Sequence, residues 1–304
     1  MFSRFALLAV CGLVAAAAHA DGLSPEASAL FAYDAKAPLE VHEVALARSA
    51  DGVATRDITF KPLPDAAPVR AYVVKPACRN RCAGVLWVHW LGEPKTTNRD
   101  EFLAEAQALA QQGVVSVLVD AMWSAPQWYE TRDLQQDYDN SRRQVIALRR
   151  ALDLLAAEPG VDRARLALVG HDYGGMYGMI AAGSDGRTKT CVFLATTASL
   201  ANWAFLAKQP PSKVDYIRRN AVFELTDYLH ALGETSVLFQ FANRDVYVSR
   251  ADTSVLLAAV PGRKERRFYD AEHDMHVEQA ATDRAAWLSK ELGLSPAAAP
   301  AAKK

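Results

Sequence analysis

Apolar and polar positions alternate over three early stretches, Leu39–Leu46, Thr55–Lys61 and Val69–Lys75, each bounded by turn residues. A period of two predicts antiparallel strands with one face on a core. Gly84–His89 and Val114–Asp120 are instead near-continuous apolar runs, the pattern of strands buried on both faces. Between them, Asp100–Gln112 sets Phe102, Leu103, Ala106 and Leu109 along one side of a helix that Gly113 stops. A longer helix is predicted from about Tyr138 to Ala157, with Val145, Leu148, Leu152 and Leu155 as its buried stripe and Glu158-Pro159-Gly160 ending it. Strand runs follow at Leu166–Gly170, Thr190–Ala195, Thr235–Ala242 and Arg267–Asp270, with helices at about Ser249–Ala259 and Val277–Leu292.

Strands that alternate with helices build βαβ units, so the expected fold is α/β, with a mostly parallel central sheet and helices on both faces. Ligands in such sheets bind beyond the carboxyl ends of the strands. The loops beginning at His89, Ala121, Asp172, Thr196, Asn243 and Ala271 should therefore share one rim. One of them stands out. Gly170-His171-Asp172-Tyr173-Gly174 sits between an apolar strand and a helix that starts with small residues, and has the Gly-x-nucleophile-x-Gly spacing of a nucleophile elbow with Asp in place of Ser. The spacing is steric: the turn strains its central residue, and small neighbours on either side leave room for it. Asp172 could alternatively just cap the following helix.

Composition narrows the picture. The chain has 304 residues, 51% hydrophobic and 23% charged, enough for one large core, and one domain is expected. Its formal net charge of −1 gives no argument for nucleic acid or an anionic membrane surface as partner. Residues 1–20 read as a cleavable signal peptide: Arg4 precedes the apolar run Phe5–Ala18, and Ala18-His19-Ala20 offers small residues for cleavage after Ala20. The expectation is a periplasmic or secreted protein with no membrane span in the mature chain. A lipidated Cys11 is the lesser alternative, because Val10 is bulky for the position before such a cysteine. The folded unit should occupy 21–293, with residues 21–38 a polar surface lead-in and 294–304 a disordered tail. In an oxidising compartment Cys78 and Cys82 could close a small disulfide, while Cys191 reads as core packing.

Two later loops complete a reactive set. Asn243-Arg244-Asp245-Val246-Tyr247 brings a carboxylate to the rim after one strand. Ala271-Glu272-His273-Asp274-Met275-His276 brings an imidazole after the next. Nucleophile, acid, histidine is the chain order of α/β-hydrolases. From about Val69 to Leu292 the chain resembles an α/β-hydrolase of the dienelactone-hydrolase-like group, and Gly-His-Asp-Tyr-Gly-Gly is similar to the elbows of epoxide hydrolases and haloalkane dehalogenases. The resemblance implies an α/β-hydrolase fold, Asp172 as nucleophile, His273 as base with His276 as competitor, and Asp245 as the orienting acid. It also implies an oxyanion hole from the backbone N–H groups of Tyr173 and Leu91, although Trp90 stands where that family carries Gly.

A short lid is expected over about 196–234, with Trp90, Trp123, Tyr216 and Tyr228 as substrate-binding aromatics; Tyr216, Tyr228 and Trp123 could serve as acids or simply line or pack the lid. No metal or organic cofactor is implied, and the partner is a small molecule. An ionised Asp attacks saturated carbon to give a stable alkyl ester, whereas attack on an ester gives a reversible anhydride. The leading expectation is therefore hydrolysis of an epoxide, haloalkane or ester/lactone through a covalent intermediate. Asp172 acting as general base on an ester or lactone, and a non-catalytic binding protein of the same fold, stay open.

Overall fold

The computed structural model describes residues 22–76, 81–92, 98–206 and 208–294. Among the described residues nine strands form one sheet: β1 (His42–Arg48), β2 (Ala54–Phe60), β3 (Val69–Lys75), β4 (Cys82–Val88), β5 (Val114–Val119), β6 (Val161–His171), β7 (Thr188–Leu194), β8 (Ser236–Ala242) and β9 (Lys264–Tyr269). Their order is β1-β2-β3-β5-β4-β6-β7-β8-β9. β1, β2, β3 and β5 pair antiparallel with their neighbours, and β5 onward the pairing is parallel. The helices among the described residues are α1 (Pro25–Leu30), α2 (Leu103–Ala110), α3 (Trp128–Thr131), α4 (Asp137–Ala157), α5 (Tyr173–Asp185), α6 (Leu200–Ala204), α7 (Lys213–Arg219), α8 (Leu225–His230), α9 (Arg250–Ala259) and α10 (Glu278–Leu292).

Side-chain alternation along β4 shows how the sheet is covered. Leu86 and Val88 join a core with α4, α5 and α8, whereas Val85 and Trp87 join a second core with α2 and α10. Both faces are thus apolar, and all seven β4 residues are buried. β1, at the sheet's edge, is exposed along its whole length and runs two to three residues later than the alternation predicts. With no face packed on a core, nothing pins its register to the apolar pattern.

Other departures have local causes. The lead-in is not merely surface: Ser24 accepts from the Ala27 N–H, Pro25 starts α1, and Phe31 is fully buried against Phe223 and Tyr228. The helix expected over Asp100–Gln112 is a 3₁₀ turn at Asn98–Asp100 followed by α2. The segment 196–234 divides: α8 packs in the core, with Leu225, Tyr228 and Leu229 fully buried and the Tyr228 backbone so close to Gly183 that a Cβ there would overlap it. α6 and α7 precede it. Cys78 lies outside the described residues, as do residues 1–21 and the tail from Ser295; Cys191 is a buried core thiol. No helix among the described residues is long and apolar enough to cross a membrane.

Candidate active site

β6 ends at His171 and α5 begins at Tyr173, so the chain turns from strand to helix through Asp172 alone. Asp172 has φ +53° and ψ −118°, a conformation that costs an L-residue about 1–3 kcal/mol. Its N–H donates to the Leu194 carbonyl at 2.9 Å, which holds the turn against β7. The glycines are required by contact rather than by φ. A Cβ on Gly170 would overlap the Gly174 carbonyl, one on Gly174 the Val88 carbonyl, and one on Gly175 the Thr196 methyl. The Asp172 side chain makes no capping bond to α5. Its Oδ2 instead accepts the Leu91 N–H at 3.0 Å, and its Oδ1 lies 3.7 Å from His273 Nε2.

His273 follows β9 by a few residues, on a loop held by Met275 at φ +53°. Its Nδ1–H donates to Asp245 Oδ2 at 2.8 Å. Asp245 Oδ1 accepts the N–H groups of Tyr247 (2.8 Å) and Val248 (3.1 Å), so the carboxylate is fixed by its own loop. Burial would raise the Asp245 carboxyl, but hydrogen bonds from His273 and these amides outweigh it and lower it. Burial would lower His273, but Asp172 and Asp245 together push it up to about 9. Asp172, His273 and Asp245 thus converge on one rim. His276 points away, exposed and paired with Asp274 at 3.2 Å.

The loop after β4 is shaped by His89, which is fully buried. Its Nε2 accepts the Ala121 N–H at 3.0 Å and its Nδ1 donates to the Trp90 carbonyl at 2.7 Å, while burial lowers its pKa. Trp123, expected among the substrate-binding aromatics, is buried with its indole N–H on the His89 carbonyl at 3.2 Å and its ring stacked on Tyr177. Leu91, Trp123, Trp128 and Tyr129 line an open groove of about 850 Å³. Trp90 lies with its ring centroid 6.3 Å from that of His273. Tyr173 is the first residue of α5, and its N–H is among those a helix start leaves without an intrahelical acceptor.

The two lid tyrosines lie elsewhere. Tyr216 donates to Asp137 Oδ2 at 2.6 Å, beside the buried Arg132, and Tyr228 donates to the Val222 carbonyl at 2.6 Å in the core under α5. In their place Trp203 on α6 and Tyr247 stand against the His273 imidazole, with ring centroids at 5.5 and 5.1 Å. Tyr247 sits two positions after Asp245, and an aromatic beside a triad acid was the available signal. Trp203 carried only its place in the lid segment. Glu101 and His171 also belong to the site's floor: His171 Nδ1 is 2.6 Å from Glu101 Oε1, and Glu101 Oε2 accepts the Trp90 N–H at 2.8 Å. Among the described residues no group of three or more His, Cys, Asp or Glu is arranged to hold a metal ion.

Solved structures similar to this chain include the acetyl xylan esterase from Paenibacillus sp. R4 (TM-score 0.71, 16% identity, covering 87% of this chain and 92% of that one). Acetyl xylan esterase 1 from Thermoanaerobacterium sp. JW/SL YS485 superposes with TM-score 0.63 at 17% identity, covering 90% and 96%. An S-formylglutathione hydrolase from Agrobacterium tumefaciens gives 0.59 at 14%, covering 83% and 100%. The fold is that of the α/β-hydrolases. No family model matches the sequence, and no curated protein matches it.

Proposed function

We propose that this protein is an exported hydrolase that works through Asp172, His273 and Asp245 and forms a covalent alkyl-enzyme on a small apolar substrate. The neighbouring structures named as esterases and hydrolases support hydrolysis as the reaction class. One observation carries the finer reading: Asp172 Oδ2 already occupies the donor of the oxyanion loop, the Leu91 N–H, while Oδ1 faces the base. Oδ1 attacks a saturated carbon, forming a C–O bond as the bond to halide or epoxide oxygen breaks; a halide leaves with the electron pair, whereas an epoxide oxygen keeps the pair, stays on the alkyl group and takes the proton that His273 carries at rest. The Asp172 carbonyl, Oδ2, then stays on Leu91 N–H, where an oxyanion is stabilised as water adds to the ester carbon. His273 takes the proton of that water and returns it to the leaving alcohol, and Asp245 stabilises the imidazolium. Trp90, Trp203 and Tyr247 supply an apolar approach.

Alkylation also prepares the base. Turning Asp172 into a neutral ester removes one of the two anions that hold His273 protonated, so the ring gives up its proton when the second step needs it. The test follows a screen of epoxides, haloalkanes and short esters. A single turnover in heavy-oxygen water with enzyme in excess places label in the peptide containing Asp172, and His273→Gln accumulates an adduct of the substrate's alkyl mass. Label found only in the product supports water attack with Asp172 as general base, and excludes the alkyl-enzyme.

A further inference from the structure

His171, the residue before the nucleophile, has no exposed surface. Its ring nitrogens both face acceptors: Nδ1 lies 2.6 Å from Glu101 Oε1, and Nε2 lies 3.0 Å from the backbone carbonyl of His273. A carbonyl cannot donate, so Nε2 carries a hydrogen. The proton of the short Nδ1 contact is shared with a carboxylate whose other oxygen already accepts the Trp90 N–H at 2.8 Å. Bonds from N–H donors favour the ionised carboxylate, which assigns that proton to the ring. Trp90 lies flat over the same imidazole, with centroids 5.2 Å apart and planes 5° from parallel, the placement in which an aromatic face attracts a cation.

We infer that His171 and Glu101 are a positioning pair: a buried imidazolium–carboxylate that ties the oxyanion loop and the loop of the catalytic base to the nucleophile elbow. The connections are specific. Glu101 holds Trp90, whose neighbour Leu91 supplies the hole donor. His171 holds the main chain of His273, whose ring must point at both Asp245 and Asp172. Neither His171 nor Glu101 touches the reacting carboxylate oxygens in this arrangement; they act through Leu91 and His273. The charged and titratable groups around the pair are Asp172 next in the chain, His273 with its ring centroid 5.9 Å away, Asp245 behind His273, His276 edge-on to Trp90 at 6.2 Å, and Asp274, Glu105 and its partner Arg284, which line the same pocket as Glu101. The role rests on the proposed use of Asp172 and His273, but its first readout does not depend on any substrate.

Full-length protein labelled with ¹⁵N-histidine gives one resonance pair per imidazole, and long-range ¹H–¹⁵N spectra separate imidazolium from the neutral tautomers. His171 shows the imidazolium pattern of a ring that donates from both nitrogens, and Glu101→Gln converts it to a neutral ring with hydrogen on Nε2. Gln retains an acceptor for the Trp90 N–H, so a loss of fold is not built into the substitution. A neutral His171 in the wild type, or an imidazolium that survives Glu101→Gln, overturns the assignment. The positioning role is read separately on whichever substrate alkylates Asp172. Glu101→Gln lowers kcat about tenfold or more with KM held within about twofold, the pattern of misplaced catalytic groups rather than lost binding. Unchanged kcat beside a lost imidazolium overturns the role and leaves the nucleophile assignment standing. Failure of every substrate to label Asp172 overturns the proposed chemistry and leaves the spectroscopic result to stand or fall alone.

Discussion

On the proposed reading, the Asp172→Asn substitution makes the resting protein a stand-in for the alkylated state, because an amide, like an ester, is neutral and nearly isosteric with the carboxylate. Its consequence is predicted at His273. In the wild type that imidazole titrates near 9, against 6.5 for an unperturbed histidine. The Asp172 carboxylate lies 3.7 Å from Nε2. At an effective dielectric of 20, a pair at that distance attracts by about 4 kcal/mol, more than the whole displacement of about 3 kcal/mol. Burial opposes the attraction, and Asp245 remains to support the charge. Removing Asp172's charge should therefore lower His273 by about 3 units, to near 6.

The assay is the pH titration of the His273 ring in ¹⁵N-histidine-labelled protein, assigned with His273→Gln. A wild-type midpoint below about 7, or a fall of less than about 0.5 unit in Asp172→Asn, refutes the electrostatic reasoning. The same shift is a stability statement with a definite sign. The folded state binds the His273 proton more tightly than the unfolded chain, so the stabilisation of about 3 kcal/mol is complete below pH 6.5 and disappears as pH rises through 9. Denaturant titrations of wild type against His273→Gln should show their difference shrinking over that window. A difference that grows with pH contradicts the assignment.

Two further outcomes test the frame rather than the chemistry. Gly174→Ala drives a Cβ into the Val88 and His89 carbonyls and should cost more than about 3 kcal/mol, seen as a melting-point fall of about 6 °C or more; Gly186→Ala, at φ +76° in open space, should cost only about 1 kcal/mol. Tyr228→Phe removes a buried hydrogen bond to the Val222 carbonyl and should lower unfolding free energy by about 1–2 kcal/mol with kcat unchanged; a loss of activity at full stability would return Tyr228 to the site.

What could be read from the residues followed how local each constraint is. The elbow was legible because its glycines answer to atoms four or five positions away and to the carbonyl at the end of the neighbouring strand. Strand ends placed Asp245 and His273 because a parallel sheet leaves its reactive loops on one edge. Helix starts were legible where a cap is written into the chain, as at Ser249, whose side chain and Asp252 form a capping box. The directions of side chains on short helices were not. Tyr216, Tyr228 and Trp203 all lie between two strands, and only the packing of α8 under α5 decides that Tyr228 faces the core while Trp203 faces His273. Glu101 was hidden for the same reason. It reads as part of a helix start, and its partners, Trp90 and His171, are named by tertiary contact alone.

On the proposed reading, the loop after β4 gives the strongest reason to separate this site from one that opens esters with serine. A serine leaves the hole's donors for the substrate carbonyl, so the hole acts in the first bond-forming step. Here the second carboxylate oxygen of Asp172, the proposed nucleophile, accepts the Leu91 N–H at 3.0 Å. An ester carbonyl would have to displace that carboxylate oxygen and leave a buried anion short of a donor, a cost of about 1–3 kcal/mol before any chemistry begins. A saturated carbon makes no such demand, since it has no carbonyl oxygen to house. The donor then acts on the enzyme's own acyl group, in the step where water attacks the ester of Asp172. In the proposed mechanism the same hydrogen bond that orients Oδ1 toward His273 in the first step becomes the stabiliser of the oxyanion in the second.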